Sequence, residues 1–129
     1  MTEGNSIRSY RDFLVWQKGM ALAKLVYLLT NSFPVDERFG MVAQMRRTEV
    51  SVPSNIAEGQ SRHERKEFVQ FLSHAQGSLA ELDIQIELAV EVGVLKDSSA
   101  EASISLVGEL QRMNSSLSRK IDLRLAANH

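Results

Sequence analysis

The sequence predicts an all-α protein, an antiparallel up-and-down four-helix bundle with a proline-kinked second helix. Three observations point there. Apolar residues recur at alternating four- and three-residue steps in four separate stretches, the spacing that lines one face of a helix. The stretches are joined by connections of a few residues, which favour antiparallel neighbours. Seven glycines and two prolines in 129 residues are too few for a many-turned all-β fold. A chain of this length forms one domain and buries about two thirds of its unfolded surface. The bundle is expected over residues 12–125, between a flexible N-terminal segment 1–11 and a flexible tail 126–129.

The first helix is capped by Asp12 and runs to Pro34. Leu22, Val26, Leu29 and Phe33 form one stripe, and Leu14, Ala21, Leu25 and Leu28 form a second beside it. Two adjacent stripes make a wide apolar face. Either both bundle neighbours cover it, or part of it meets another subunit.

A turn at "FPVDE" opens the second helix, with Asp36 as its cap or first-turn acid. Val42, Met45, Val52 and Ile56 share a seam on which Glu49 also falls. A carboxylate there must be paired or look out at the seam edge, and Arg46, one turn earlier, is the nearest partner. Pro53 removes the amide that would bond the Glu49 carbonyl, so the helix kinks or restarts there. Gly59 is then a left-handed C-cap.

The third helix carries the clearest pattern: Phe68, Leu72, Ala75, Leu79, Leu82, Ile86 and Ala89. Ser61 with Glu64 fits a capping box at its start, and the helix ends near Gly93. Leu106, Leu110, Met113, Leu117 and Ile121 line the fourth, which frays into "LAANH".

Cysteine is absent, which excludes disulfides, zinc-thiolate sites and a cysteine nucleophile and fits a reducing cytosol. The N-terminus is polar and mixed in charge, unlike a secretory signal. The longest apolar run, "GMALAKLVYLL", is interrupted by Lys24 and is too short to span a bilayer. A cytoplasmic protein with no membrane partner is expected. His63, His74 and His129 lack metal-ligand spacing, and Glu81, Asp83, Glu87 and Glu91 read as a solvated helix face. Neither a phosphate-cradling glycine loop nor a serine elbow is present. No catalytic residue, metal or cofactor is expected, and the protein is read as no enzyme.

Charge is distributed unevenly under a net of −1. Six Arg/Lys face three Glu between Arg38 and Lys66, while one Lys faces seven acids between Glu67 and Glu101. Arg62, Arg65 and Lys66 sit at a helix N-terminus, whose free amides already favour anions. Arg46 and Arg47 lie further back along the second helix. These five are the candidate nucleic-acid contacts, set against a solvated helix end in which Arg46 pairs with Glu49.

"FLVWQKGMALA", "FPVDERFGMVAQMRRTEVSVPSNIAEG" and "EFVQFLSHAQGSLAELDIQIELA", taken in order, resemble the four-helix-bundle family encoded in intervening sequences of bacterial 23S rRNA genes. The likeness covers about Phe13 to Leu95, and its specific part is "RR-x-x-x-S-x-P-S-N-I-A-E-G". It implies a ring-like homopentamer and kinship to accessory proteins of diversity-generating retroelements, which bind nucleic acid. Arg46 and Arg47 match the family's arginine pair, Ser54, Asn55, Glu58 and Gly59 its post-proline turn, and Phe68, Leu72 and Leu79 its third-helix seam. Pro53, Ser54, Asn55, Glu58 and Gly59 are read as a structural corner. In it Ser54 and Asn55 bond backbone groups that the proline frees. The chain departs from the basic retroelement proteins in being slightly acidic. The function read from this is a non-enzymatic, oligomeric bundle that binds RNA or DNA and is linked to the intervening sequences. The alternative is an oligomeric scaffold without nucleic acid.

Overall fold

The computed structural model describes residues 9–127, with side chains as far as Leu123. Among them every regular element is helical: α1 (Leu14–Thr30), α2 (Ala43–Gln60), α3 (Arg65–Glu91) and α4 (Asp97–Ala127). Short 3-10 turns lie at Tyr10–Asp12 and Val35–Glu37, and one π turn at Arg38–Val42 leads into α2. Both α1 and α3 pack on α2 and α4, closing a ring of four around one core. Contacts between consecutive helices run in reverse order. Gly19 faces Val52 and Pro53 while Thr30 meets Arg46, and Thr48 meets Gln85 while Gly59 meets Phe68 and Phe71. The flexible ends expected at 1–8 and 128–129 lie outside the described residues, but Ser9 to Arg11 belong to a turn and α4 continues through Ala127.

The α3 seam is built as its spacing predicts. Leu72, Ala75, Leu79, Leu82, Ile86 and Ala89 are fully buried, with Phe68 half-buried against them. Each large side chain removed from water there stabilises the fold by about 1.5–3 kcal/mol.

Local detail differs at three helix starts or ends. Asp12 does not cap α1: its carboxylate turns back to accept the Ser9 amide at 3.1 Å, and Phe13 is the N-cap residue. Ser61 does not cap α3. It is still in helical conformation, its hydroxyl donates to the Glu58 carbonyl, and extended Glu64 stands at the N-cap instead. The chain needs Arg62 to Glu64 to turn from one helix into the next. Gly59 is no left-handed cap either. Among the described residues the one positive-φ glycine is Gly93, at φ 80°, just past the end of α3.

Pro53 lies inside α2, which is one helix from Ala43 to Gln60. Gly59 is a close-approach glycine: a Cβ there would stand 2.8 Å from the Phe71 Cβ and 3.0 Å from Phe68 Cδ1.

On α1 the two apolar stripes part company. Val15, Gly19, Leu22, Val26, Thr30 and Phe33 are buried, while Leu14, Ala21 and Leu28 face outward. The whole wide face is therefore not covered within one chain. On α4 the buried seam is Ala100, Ser103, Val107, Leu110, Asn114 and Ile121, and the expected Leu106, Met113 and Leu117 are only half-buried. Leu110 and Ile121 are buried as expected, but Ala100, Ser103, Val107 and Asn114 take the remaining inner positions, and Asn114 reaches in to clasp α3. Its Nδ2 donates to the Leu72 carbonyl and to Gln76 Oε1, each at 2.8 Å.

Gly59→Ala is expected to cost about 1–3 kcal/mol of folding stability, since the methyl overpacks against Phe71 Cβ and the ring and carbonyl of Phe68. Urea melts of the two proteins check this, and an unchanged midpoint would show that the α2–α3 approach has slack.

Candidate functional site

The residues singled out for binding stand at the two ends of α2. Arg47 and Arg62 are fifteen residues apart, about 20 Å at ~1.5 Å per residue. The structure therefore places the five candidate contacts at two separate corners.

At the α1–α2 corner, Arg46 is half-buried and held from three sides. Its Nε donates to Thr30 Oγ1 at 3.0 Å and its Nη2 to Asn31 Oδ1 at 2.7 Å. The guanidinium also lies 3.9 Å from the centre of the Tyr27 ring. The expected bond to Glu49 is replaced by these, because α1 presents its C-terminal polar groups to that flank of α2. Arg47, next in sequence, is exposed and has no hydrogen bond or ion pair among the described residues. Two residues that sequence reasoning passed over complete the corner. Arg38 is exposed beside a hollow of about 230 Å³ that Arg46, Thr30 and Asn31 also line. Phe39 is 90% exposed at the rim of a second hollow of about 360 Å³, shared with Gln44, Arg47, Gln85 and Leu88. The signal for Phe39 was present: stepping back from Val42 by four along the seam lands on Arg38, so the aromatic ring falls one position outside it.

At the α2–α3 corner, Arg62 donates to Glu58 Oε2 at 2.9 Å and lies over the Phe71 ring. Arg65 and Lys66 are exposed, without hydrogen-bonded or ionic partners among the described residues. Asn55 Nδ2 donates to the Ser51 carbonyl at 2.7 Å, not to the Glu49 carbonyl that Pro53 leaves free, so the corner role expected of Asn55 is not met at that group. Ser54 points to solvent and makes no such bond. The three bases of this corner (Arg62, Arg65, Lys66) stand among three acids (Glu58, Glu64, Glu67). The other corner sets Arg38, Arg46 and Arg47 against Asp36 and Glu37.

Among the described residues no group of three His, Asp or Glu is arranged to hold a metal ion, and no helix is long and apolar enough to cross a membrane. Two apolar surfaces stay open. One is the α1 stripe, with Leu14 57% and Leu28 54% exposed. The other runs over α3 and α4 through Ile84, Leu88, Val92 and Ile104, beside Glu87, Glu91 and Asp97.

The family model of the 23S rRNA-intervening sequence protein matches residues 11–116. The chain belongs to that family. A solved structure from Bacteroides thetaiotaomicron, a protein of unknown function from the S23 ribosomal protein family, is similar in fold. Its TM-score is 0.73 at 23% identity, over 81% of this chain and 98% of that one. No curated protein matches the chain. Within the family match lie both corners and Glu49, the most unusual titratable group of α2.

Glu49 is 4% exposed, and its Oε2 has no hydrogen-bond partner among the described residues. Burial pushes its carboxyl up from 4.5 to about 7, and the nearby Arg46 guanidinium offsets only part of that. The folded state thus keeps a proton that the unfolded chain releases. This stabilisation is complete below the unfolded value and is lost as pH rises through the folded one. Relative to Glu49→Gln, the wild-type protein should lose about 2–3 kcal/mol between about pH 5 and about pH 8. Urea titrations of both proteins at the two pH values check it; parallel pH dependence would show a solvated carboxylate.

Proposed function

We propose that the protein is a non-enzymatic, self-assembling bundle of the cytoplasm that binds RNA or DNA in connection with 23S rRNA intervening sequences. The observation that carries the reading is that Arg47, Arg65 and Lys66 stand exposed at the two ends of α2 with no partner within the described chain. These cations have no ion-pair partner among the described residues, so a phosphate can meet them without first breaking a salt bridge, although acids stand nearby at both corners. Membership of the family supports the link to intervening sequences. Arg46 and Arg62 serve mainly to hold the corners in place, and so present the free cations beside them.

Self-assembly draws support from the two open apolar surfaces. α1 carries no acid and leaves Lys24 unpaired among the described residues, Lys18 being bonded to Glu109 of α4, whereas the α3–α4 surface is rimmed by Glu87, Glu91 and Asp97. Such unlike faces suit head-to-tail contact between copies, which closes into a ring when the rotation allows. A homopentamer is the ring proposed. Repetition turns a weak cationic corner into a multivalent one. The same faces favour the second reading, a scaffold without nucleic acid.

Anisotropy of labelled structured RNA and of duplex DNA, measured over a salt series, separates the two. Binding should weaken with a slope of about 0.7–0.9 in log–log form per phosphate contact. The Arg47→Ala/Arg65→Ala/Lys66→Ala variant should lose most of it while keeping its oligomer size in light scattering. Absence of binding even at low salt would leave the scaffold reading.

A further inference from the structure

The nucleic-acid reading leaves open what form of strand is bound, and the α1–α2 corner bears on this. Phe39 holds a ring 90% exposed on the π turn, the most exposed large apolar side chain among the described residues. A ring so placed gains nothing for the fold. The hollow at its rim mixes the two kinds of lining a base meets: Met41, Met45 and Leu88 are apolar, Gln44, Gln85 and Arg47 polar or cationic, and Arg38 precedes the ring in sequence. That hollow, about 360 Å³, has room for a nucleobase. On the other side of the turn the smaller hollow opens between Arg38 and Arg46. Arg46 is fixed there by Thr30, Asn31 and Tyr27, so little side-chain freedom is lost when its outer edge meets an anion. Glu37 lies at the rim as well and opposes an anion directly over Gly40.

We infer that the α1–α2 corner takes unpaired nucleic acid, with a base stacked on the Phe39 ring and the flanking phosphates held by Arg38, Arg46 and Arg47. The inference rests on the nucleic-acid reading and narrows it. Stacking on an aromatic side chain requires a base whose face is open, which a strand offers and an intact duplex does not. Leu88, at the edge of the open α3 surface, lines the same hollow, but a second copy reaching as far as Phe39 would have to bury Arg38 and Arg47 beside it, at a desolvation cost that phosphate contact avoids.

The test compares a short unstructured RNA, a DNA strand of the same sequence, and each annealed to its complement. Binding to wild-type, Phe39→Ala and Phe39→Tyr proteins is read by anisotropy at one salt concentration. Phe39→Ala should weaken unpaired strands by about five- to a hundredfold and duplexes by less than about twofold, with Phe39→Tyr close to wild type. Because the ring packs on nothing, folding should survive, and circular dichroism and light scattering verify it. Equal losses for strand and duplex, or no loss at all, overturn the inference. So does a changed oligomer size in Phe39→Ala, which would make the ring an anchor between copies. Wild-type binding to duplex alone removes this inference and leaves the nucleic-acid reading standing; binding to no probe removes both.

Discussion

The closeness of α2 and α3 at Gly59 is the constraint on which the two corners depend. With Phe71 and Phe68 where a methyl group would lie, the C-terminal end of α2 fits closely against the start of α3. Arg62 then covers the Phe71 ring while bonded to Glu58, sealing the outside of the same contact. From there the reverse-order contacts through Ser51–Ser78 and Thr48–Gln85 carry the alignment to the other end of α2. That end meets the last turn of α1, where Arg46 takes up Thr30 and Asn31. The free cations are placed by packing that begins about 20 Å away along the helix.

Much of the fold could be read from spacing because burial on α3 and α2 follows it closely. Large aliphatic residues at four- and three-residue steps leave one face apolar, and Leu72 to Ala89 and Met45 to Ile56 are buried on that face. Spacing was less informative where small or polar residues take core positions. Ser103 and Asn114 are buried on α4, so an aliphatic count finds Leu110 and Ile121 but misplaces the other inner positions. Caps were misread for a related reason. Asp12, Ser61 and Glu64 are of the right types, but each lies in a turn whose path is set by tertiary contacts that no local pattern contains.

The corners illustrate what sequence can and cannot say about a surface. Residue type identifies Arg46, Arg47, Arg62, Arg65 and Lys66 as basic, yet only geometry separates those already engaged from those left open. Arg46 and Arg62 each stack on an aromatic ring and bond a neighbour. Arg47, Arg65 and Lys66 do not. Phe39 is the reverse case: an aromatic residue in a helical chain is ordinarily taken as core, and a one-position offset from the seam leaves this one outside.

Asn114 has a consequence for how the chain avoids assembling wrongly. Heptad-spaced helices can slide past one another by seven residues and still match apolar to apolar. Such a slip would bring Val107 or Ile121 opposite the Leu72 carbonyl and carry the amide to another level of the core. There it would meet a backbone carbonyl but no Gln76 amide, so the second half of its clasp would be lost, a penalty on the order of 1 kcal/mol. One asparagine thus works as a registration mark for the longest helix of the bundle, disfavouring alternatives that its aliphatic residues alone would tolerate.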